Sequence, residues 1–184
     1  LNRLTDGFST GYQGATDMDE TIAARLQRLE DREAIRELQA TYCFLVDDGR
    51  YEELVERWFT EDARCDFRDT RGVISPLVSS GRGEILAFFT GVVAVLLADM
   101  CHTVHNQRIV VDGDAASAEC YFELTARHPA TGDAVVGAGR YIDRLERAGG
   151  GWRFHERVAQ IFHMAPLAEG WVRRPLLGAL TGGE

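Results

Sequence analysis

The chain has no run of basic residues, no CxxC pair and no apolar stretch long enough to cross a bilayer. Each absence removes a class of function. Without a Lys/Arg cluster, and with a formal net charge of −9, the chain offers nucleic-acid phosphates no electrostatic footprint. Its longest apolar stretch, Ala87 to Ala98, falls short of the roughly 20 residues a spanning helix needs and reads as a buried helix. The first residues lack the basic-then-apolar pattern of a secretory signal. Cys43, Cys65, Cys101 and Cys120 follow no regular spacing, so they read as reduced core thiols of a cytoplasmic protein. No Gly-x-Ser-x-Gly or Walker pattern occurs, and Gly81-Arg82-Gly83 is too short for a phosphate loop. Internal repeats and low-complexity tracts are also missing.

What is present is a globular composition: 184 residues, 45% hydrophobic and 27% charged, enough for one domain with a core and an internal cavity. An anionic substrate would need a local positive patch. Arg140, Arg144, Arg147, Arg153 and Arg157 could supply one, although strand arginines ordinarily face solvent.

Composition shifts divide the chain in three. Residues 1–20 are rich in Gly, Ser, Thr and Asp and lack apolar periodicity, which predicts a mobile arm. From Thr21, Ile22, Leu26 and Leu29 recur at helical spacing. Asp31 is placed to cap a second helix carrying Ile35, Leu38, Tyr42 and Leu45, with Gly49 as its stop. A short helix over Tyr51–Phe59 turns Leu54, Val55 and Trp58 inward, and Ala63–Phe67 and Val73–Val78 read as short strands. The Gly81-Arg82-Gly83 stretch then leads into the buried helix, ending near Asp99.

After that the period changes from helical to alternating. Cys101–Val111, Ala115–His128, Ala134–Arg147 and Trp152–Met164 are long β-rich runs whose separators all have hairpin chemistry, so they predict an antiparallel meander. Residues 167–184, with Pro175 and Gly178, read as a C-terminal tail. Helices followed by a meander give an α+β class. Strands this long must bend, which predicts a cone-shaped α+β barrel: N-terminal helices packed into a strongly curved, mostly antiparallel sheet over residues 21–166.

Two segments carry the candidate chemistry, Tyr42 to Asp47 at a helix end and His102 to Asn106 at a strand start. They contain a phenol, a carboxylate and an imidazole, the minimum for moving protons with neither metal nor organic cofactor. Strand parity puts His102, Val104, Asn106 and Arg108 on one face and His105 on the other unless a bulge intervenes. The same parity breaks up the paper cluster Cys101, His102 and His105, so no metal site is expected.

The segments Arg28 to Ile35, Val46 to Tyr51, Trp58 to Ala63, Gly139 to Arg144 and Gly151 to Phe154 resemble the SnoaL-like branch of the nuclear transport factor 2-like superfamily. Within it, the motifs lean toward a lyase group that includes scytalone dehydratase, hexachlorocyclohexane dehydrochlorinase and bile acid 7α-dehydratase. Asp47 after Val46, and His102 four residues before Asn106, match the dehydrochlorinase pattern. Tyr42, five residues before Asp47, matches the bile acid enzyme. Val46 stands where scytalone dehydratase has a tyrosine, and no second histidine follows between Ala115 and Arg127.

The resemblance implies a His102–Asp47 dyad in an apolar pocket, with Tyr42 as the third catalytic group. Asn106, Phe122, Leu124, Trp58, Phe154 and Arg157 are then the expected substrate-binding residues. The implied activity is a cofactor-independent elimination on a small cyclic hydrophobic molecule. Polyketide cyclase, isomerase or hydrolase chemistry on the same scaffold remains open, as does non-catalytic ligand binding or a structural role like that of ring-hydroxylating dioxygenase small subunits. Asp48 is as good a helix-terminal acid as Asp47. Tyr42 lies about 140° of helix rotation from Asp47 and equally fits a core position. Homodimer or homotrimer formation is expected.

Overall fold

The computed structural model describes residues 21–70 and 75–169. The arm expected over residues 1–20, most of the tail expected over 167–184, and the start of the strand expected at Val73–Val78 lie outside the described residues.

Helix α1 runs Ile22–Asp47 without a break. Thr21 caps it by accepting the Ala24 N–H at 3.2 Å. Ile35, Leu38, Tyr42, Leu45 and Val46 repeat at three- and four-residue steps and form its buried stripe. The break expected at Asp31 is absent. Asp31 is buried at mid-helix instead, where its carboxylate accepts Trp152 Nε1 at 3.1 Å and Arg147 Nη2 at 2.8 Å. Ile22, Leu26 and Leu29 stay exposed. The helix ends where Gly49 adopts φ +69, a conformation costly for any residue with a Cβ, and Arg50 N–H bonds back to Leu45 O at 2.8 Å.

Helix α2, Tyr51–Trp58, turns Leu54 and Val55 inward and passes directly into strand β1, Phe59–Asp69. That strand is longer than its sequence pattern suggests, and β2, Leu77–Ser80, pairs with it antiparallel. Helix α3, Gly81–Phe88, continues through a wide π-turn at Phe89–Val93 and a last turn at Ala94–Leu96. It is less buried than its composition implies: Ile85, Phe88 and Phe89 enter the core, but Val95 and Leu96 are exposed.

The meander follows as β3 (Ala98–Asp112), β4 (Ala115–Arg127), β5 (Ala134–Ala148) and β6 (Gly151–Pro166). The sheet order is β2-β1-β6-β5-β4-β3, antiparallel except for the parallel β1–β6 pair. The sheet curls around the helices but does not close, and the core fills the space between. This is the expected α+β cone. No helix among the described residues is long and apolar enough to cross a membrane.

Register shifts in β3 and β6 decide which side chains face inward. In β3 the register moves from His105↔Tyr121 to Arg108↔Glu119, one extra residue, with Asn106 at φ +55. The alternation flips there, so Gln107 and Ile109 continue the inner face begun by His102 and Val104, and Asn106 is exposed. In β6 the register moves from Leu145↔Phe154 to Arg144↔Glu156. Beyond it Arg157, Ala159 and Ile161 point inward, and Phe162, at a further register shift, is exposed.

Candidate active site

The C-terminal turn of α1 and the start of β3 meet at one pair of side chains. The Asp47 carboxylate accepts the main-chain N–H of His102 at 2.8 Å through Oδ2 and bonds the ring Nδ1 of His102 through Oδ1. Both side chains are largely shielded, at 7% exposure for His102 and 15% for Asp47. Because a carboxylate only accepts, Nδ1 carries a proton, and in the neutral ring Nε2 is then the nitrogen with the free lone pair. Asp48, the rival acid, is exposed at the helix cap.

His102 borders a cavity of about 170 Å³. Tyr42 and Val46 of α1 line it, with Phe88, Phe89, Val92 and Val93 from α3 and its π-turn. The sheet contributes Phe122 and Leu124 from β4, Tyr141 from β5, and Ala159, Ile161 and Met164 from β6. Apart from His102 and the two phenols, the described lining is apolar. The π-turn widens the helix where three of these residues, Phe89, Val92 and Val93, face the cavity, a use typical of such turns. Gly139 keeps Phe122 in place from behind: a Cβ there would lie 2.4 Å from Gln160 O and 2.6 Å from the Phe122 ring.

The cavity thus gathers His102, Tyr42, Phe122 and Leu124. Asp47 stands behind His102 rather than on the wall. The remaining sequence candidates do not line it. Asn106 is turned out by the β3 bulge. Trp58 is half-buried on α2 under the Arg57 guanidinium. Phe154 is a core ring packed on Phe59 and Tyr42. Arg157, expected on a strand surface or at the substrate, is fully buried.

Arg157 lies behind the cavity wall. Its guanidinium carbon sits 3.9 Å from the Tyr42 ring centre and 4.1 Å from those of Tyr141 and Phe154. Nε and Nη2 donate to Asp143 at 2.8 and 2.9 Å. Gln39 Nε2 donates to the same carboxylate at 3.0 Å, and Gln107 Nε2 to Gln39 Oε1 at 3.1 Å. Burial opposes the guanidinium charge, but Asp143 outweighs it, so Arg157 holds its proton beyond the usual arginine range. Burial pushes the Tyr42 and Tyr141 phenols upward, partly offset by the Arg157 charge, so both stay protonated donors.

This chain of Gln107, Gln39, Asp143 and Arg157 was not foreseen from the sequence. One signal was available: Asp143 shares strand parity with Tyr141 and Leu145, so an acid there had to be buried and paired. Among the described residues, no three His, Cys, Asp or Glu side chains are grouped as a metal site requires.

Residues 27–158 match the family model of the SnoaL-like domain. The chain belongs to the SnoaL-like family. Solved structures of the same fold include hexachlorocyclohexane dehydrochlorinase LinA-type3 from Novosphingobium barchaimii, 22% identical with a TM-score of 0.67, covering 82% of this chain and 99% of that one. A scytalone dehydratase-like protein from Novosphingobium aromaticivorans is 18% identical, with a TM-score of 0.68 over 82% and 93% of the two chains. A nuclear transport factor 2-like protein with a cystatin-like fold, from the same organism, is 30% identical, with a TM-score of 0.59 over 79% and 92%. No curated protein sequence matches the chain. The SnoaL-like scaffold is therefore one that small-molecule-processing enzymes use.

Proposed function

We propose that this SnoaL-like chain is a cofactor-independent lyase that eliminates water or halide from a small cyclic, mostly hydrophobic substrate. The observation that carries the reading is the pairing of His102 with Asp47 at the border of a chamber otherwise lined by apolar and aromatic side chains. In this reading Nε2 of His102 removes a proton beside an activating group. The electron pair released from that C–H bond forms the new double bond as hydroxide or halide leaves the neighbouring carbon. Asp47 holds the ring and stabilises the imidazolium while it exists. Tyr42 donates a hydrogen bond to the departing group, and its raised proton affinity keeps the hydrogen on the phenol at any ordinary pH.

Two facts support the substrate and reaction class. The fold is shared with a hexachlorocyclohexane dehydrochlorinase. The chamber, at about 170 Å³, also suits one six-membered ring, since an apolar cavity of roughly 150 Å³ holds benzene. The test is release of halide or water from halogenated and hydroxylated cyclohexanes and cyclohexanones. Wild type should turn over at least one of them, with His102→Ala and Asp47→Asn slower by about 10²–10⁴-fold. Equal release by all three proteins sinks the reading, and proton transfer without a leaving group would make the enzyme an isomerase.

Assembly into a homodimer or homotrimer belongs to the same proposal. Its support is the exposed ring row His105–Tyr121–Phe162 on the outer sheet face, with centroids 6.0 and 6.2 Å apart. Light scattering at two or three times 20.5 kDa is the check.

A further inference from the structure

A second hollow adjoins the chamber at the open end of the cone. It measures about 360 Å³ and shares Leu96, Leu97 and Met164 with the inner cavity. Its floor is Val135 with Ala165 and Pro166, and its far rim is the β4–β5 turn, with His128, Thr131 and Asp133. The two hollows differ in chemistry. The inner one is closed in by rings and aliphatic groups; the outer one is apolar at the shared wall and polar at the rim.

We infer that the substrate is not a bare ring: it carries an apolar arm that passes Leu96, Leu97 and Met164 into the outer hollow and ends in a neutral hydroxyl at the rim. This rests on the elimination reading for the ring's place in the inner chamber and extends it. The shared wall suits such a passage. Leu96 belongs to the last, exposed turn after the π-turn, and Met164 is an unbranched side chain that can change rotamer at little cost. Gly137 leaves room for it, since a Cβ there would come within 3.1 Å of Met164 Cε.

The rim chemistry sets the arm's terminus. His128 Nδ1 accepts the Thr131 N–H at 3.4 Å, which leaves Nε2–H as a donor. Asp133 brings a carboxylate to the same turn. A hydroxyl can accept from the first and donate to the second, whereas a carboxylate would be repelled by Asp133 and an alkyl end would bond to neither.

Isothermal titration of a 4-alkylcyclohexanone series, from the parent ketone to the pentyl derivative, tests this as binding, apart from any turnover. Affinity should rise about fourfold per added methylene, the equivalent of ~0.8 kcal/mol per buried CH2. A terminal hydroxyl on the longest arm should raise it further. Thr131→Trp, with Asp133→Trp as a second blocking substitution, should remove the gain per methylene. Glu123→Trp, an added tryptophan on the outer sheet face, should leave it intact. A flat series in wild type, as a hollow covered by residues 170–184 or by a second copy would give, overturns the inference. So does a gain that survives both blocking substitutions. Failure of the elimination reading shows separately, as turnover unaffected in His102→Ala.

Discussion

The carboxylate of Asp47 is bound to His102 twice, through the main-chain N–H at 2.8 Å and through the ring Nδ1. The first bond anchors the carboxylate to the strand; the second sets the ring relative to that anchor. The imidazole cannot swing away from the cavity without breaking the contact that fixes its tautomer.

Asp47→Asn therefore separates charge from shape. The amide keeps the size of the carboxylate but can donate to Nδ1, which moves the ring proton toward Nε2 and removes the base. Turnover should fall by about 10²–10⁴-fold with little loss of stability. Steady-state rates together with the ring nitrogen shifts of His102 in NMR check both halves.

The thiols divide sharply. Burial pushes Cys43, Cys65 and Cys120 up to about 12 from 9.0, while Cys101 is exposed. At pH 8 a disulfide reagent should titrate one thiol in the native protein and four after denaturation. The same shifts favour the protonated form on folding. Their contribution to stability is fully present below pH 9 and is lost as pH rises toward 12, so alkaline unfolding should set in across that window.

Asp143 accepts two hydrogen bonds from the buried Arg157 guanidinium, and both side chains are at 0% exposure. Asp143→Asn should destabilise the fold by about 3–5 kcal/mol, because an uncompensated charge remains inside. The double change Asp143→Leu with Arg157→Met should cost less than the single one. Chemical denaturation of the three proteins decides it.

Gly139→Ala should disturb the chamber from the far side. Its Cβ would collide with Gln160 O at 2.4 Å and the Phe122 ring at 2.6 Å, so Phe122 must move into the cavity. A loss of about 1–3 kcal/mol in stability is expected, with weaker binding of cyclohexanone in calorimetry.

The parts of this architecture that depend on repeating local preference were legible in the sequence. The Ile35–Leu38–Tyr42–Leu45 stripe and the three hairpin separators led directly to α1 and the β3–β6 meander. What escaped were single-residue exceptions to a period. A bulge at Asn106 exchanged Asn106 for Gln107 on the inner face, and one near His155 carried Arg157 inward. Asparagine tolerates positive φ better than most residues, so Asn106 held a faint local signal; His155 held none. Asp31 misled for another reason. A capping residue and a buried acid look alike until Trp152 and Arg147, more than a hundred residues away, are seen to bind it. The meeting of Asp47 with His102 is also a long-range fact, readable beforehand only through the family resemblance.

The most direct measurement is incorporation of solvent deuterium into the ring positions beside the carbonyl of a bound cyclohexanone, followed by mass spectrometry at pH 7.5. Wild type should exchange well above the buffer rate, and His102→Ala should fall to that rate while still binding the ketone. Equal exchange in the two proteins would contradict the assignment of His102 as the base.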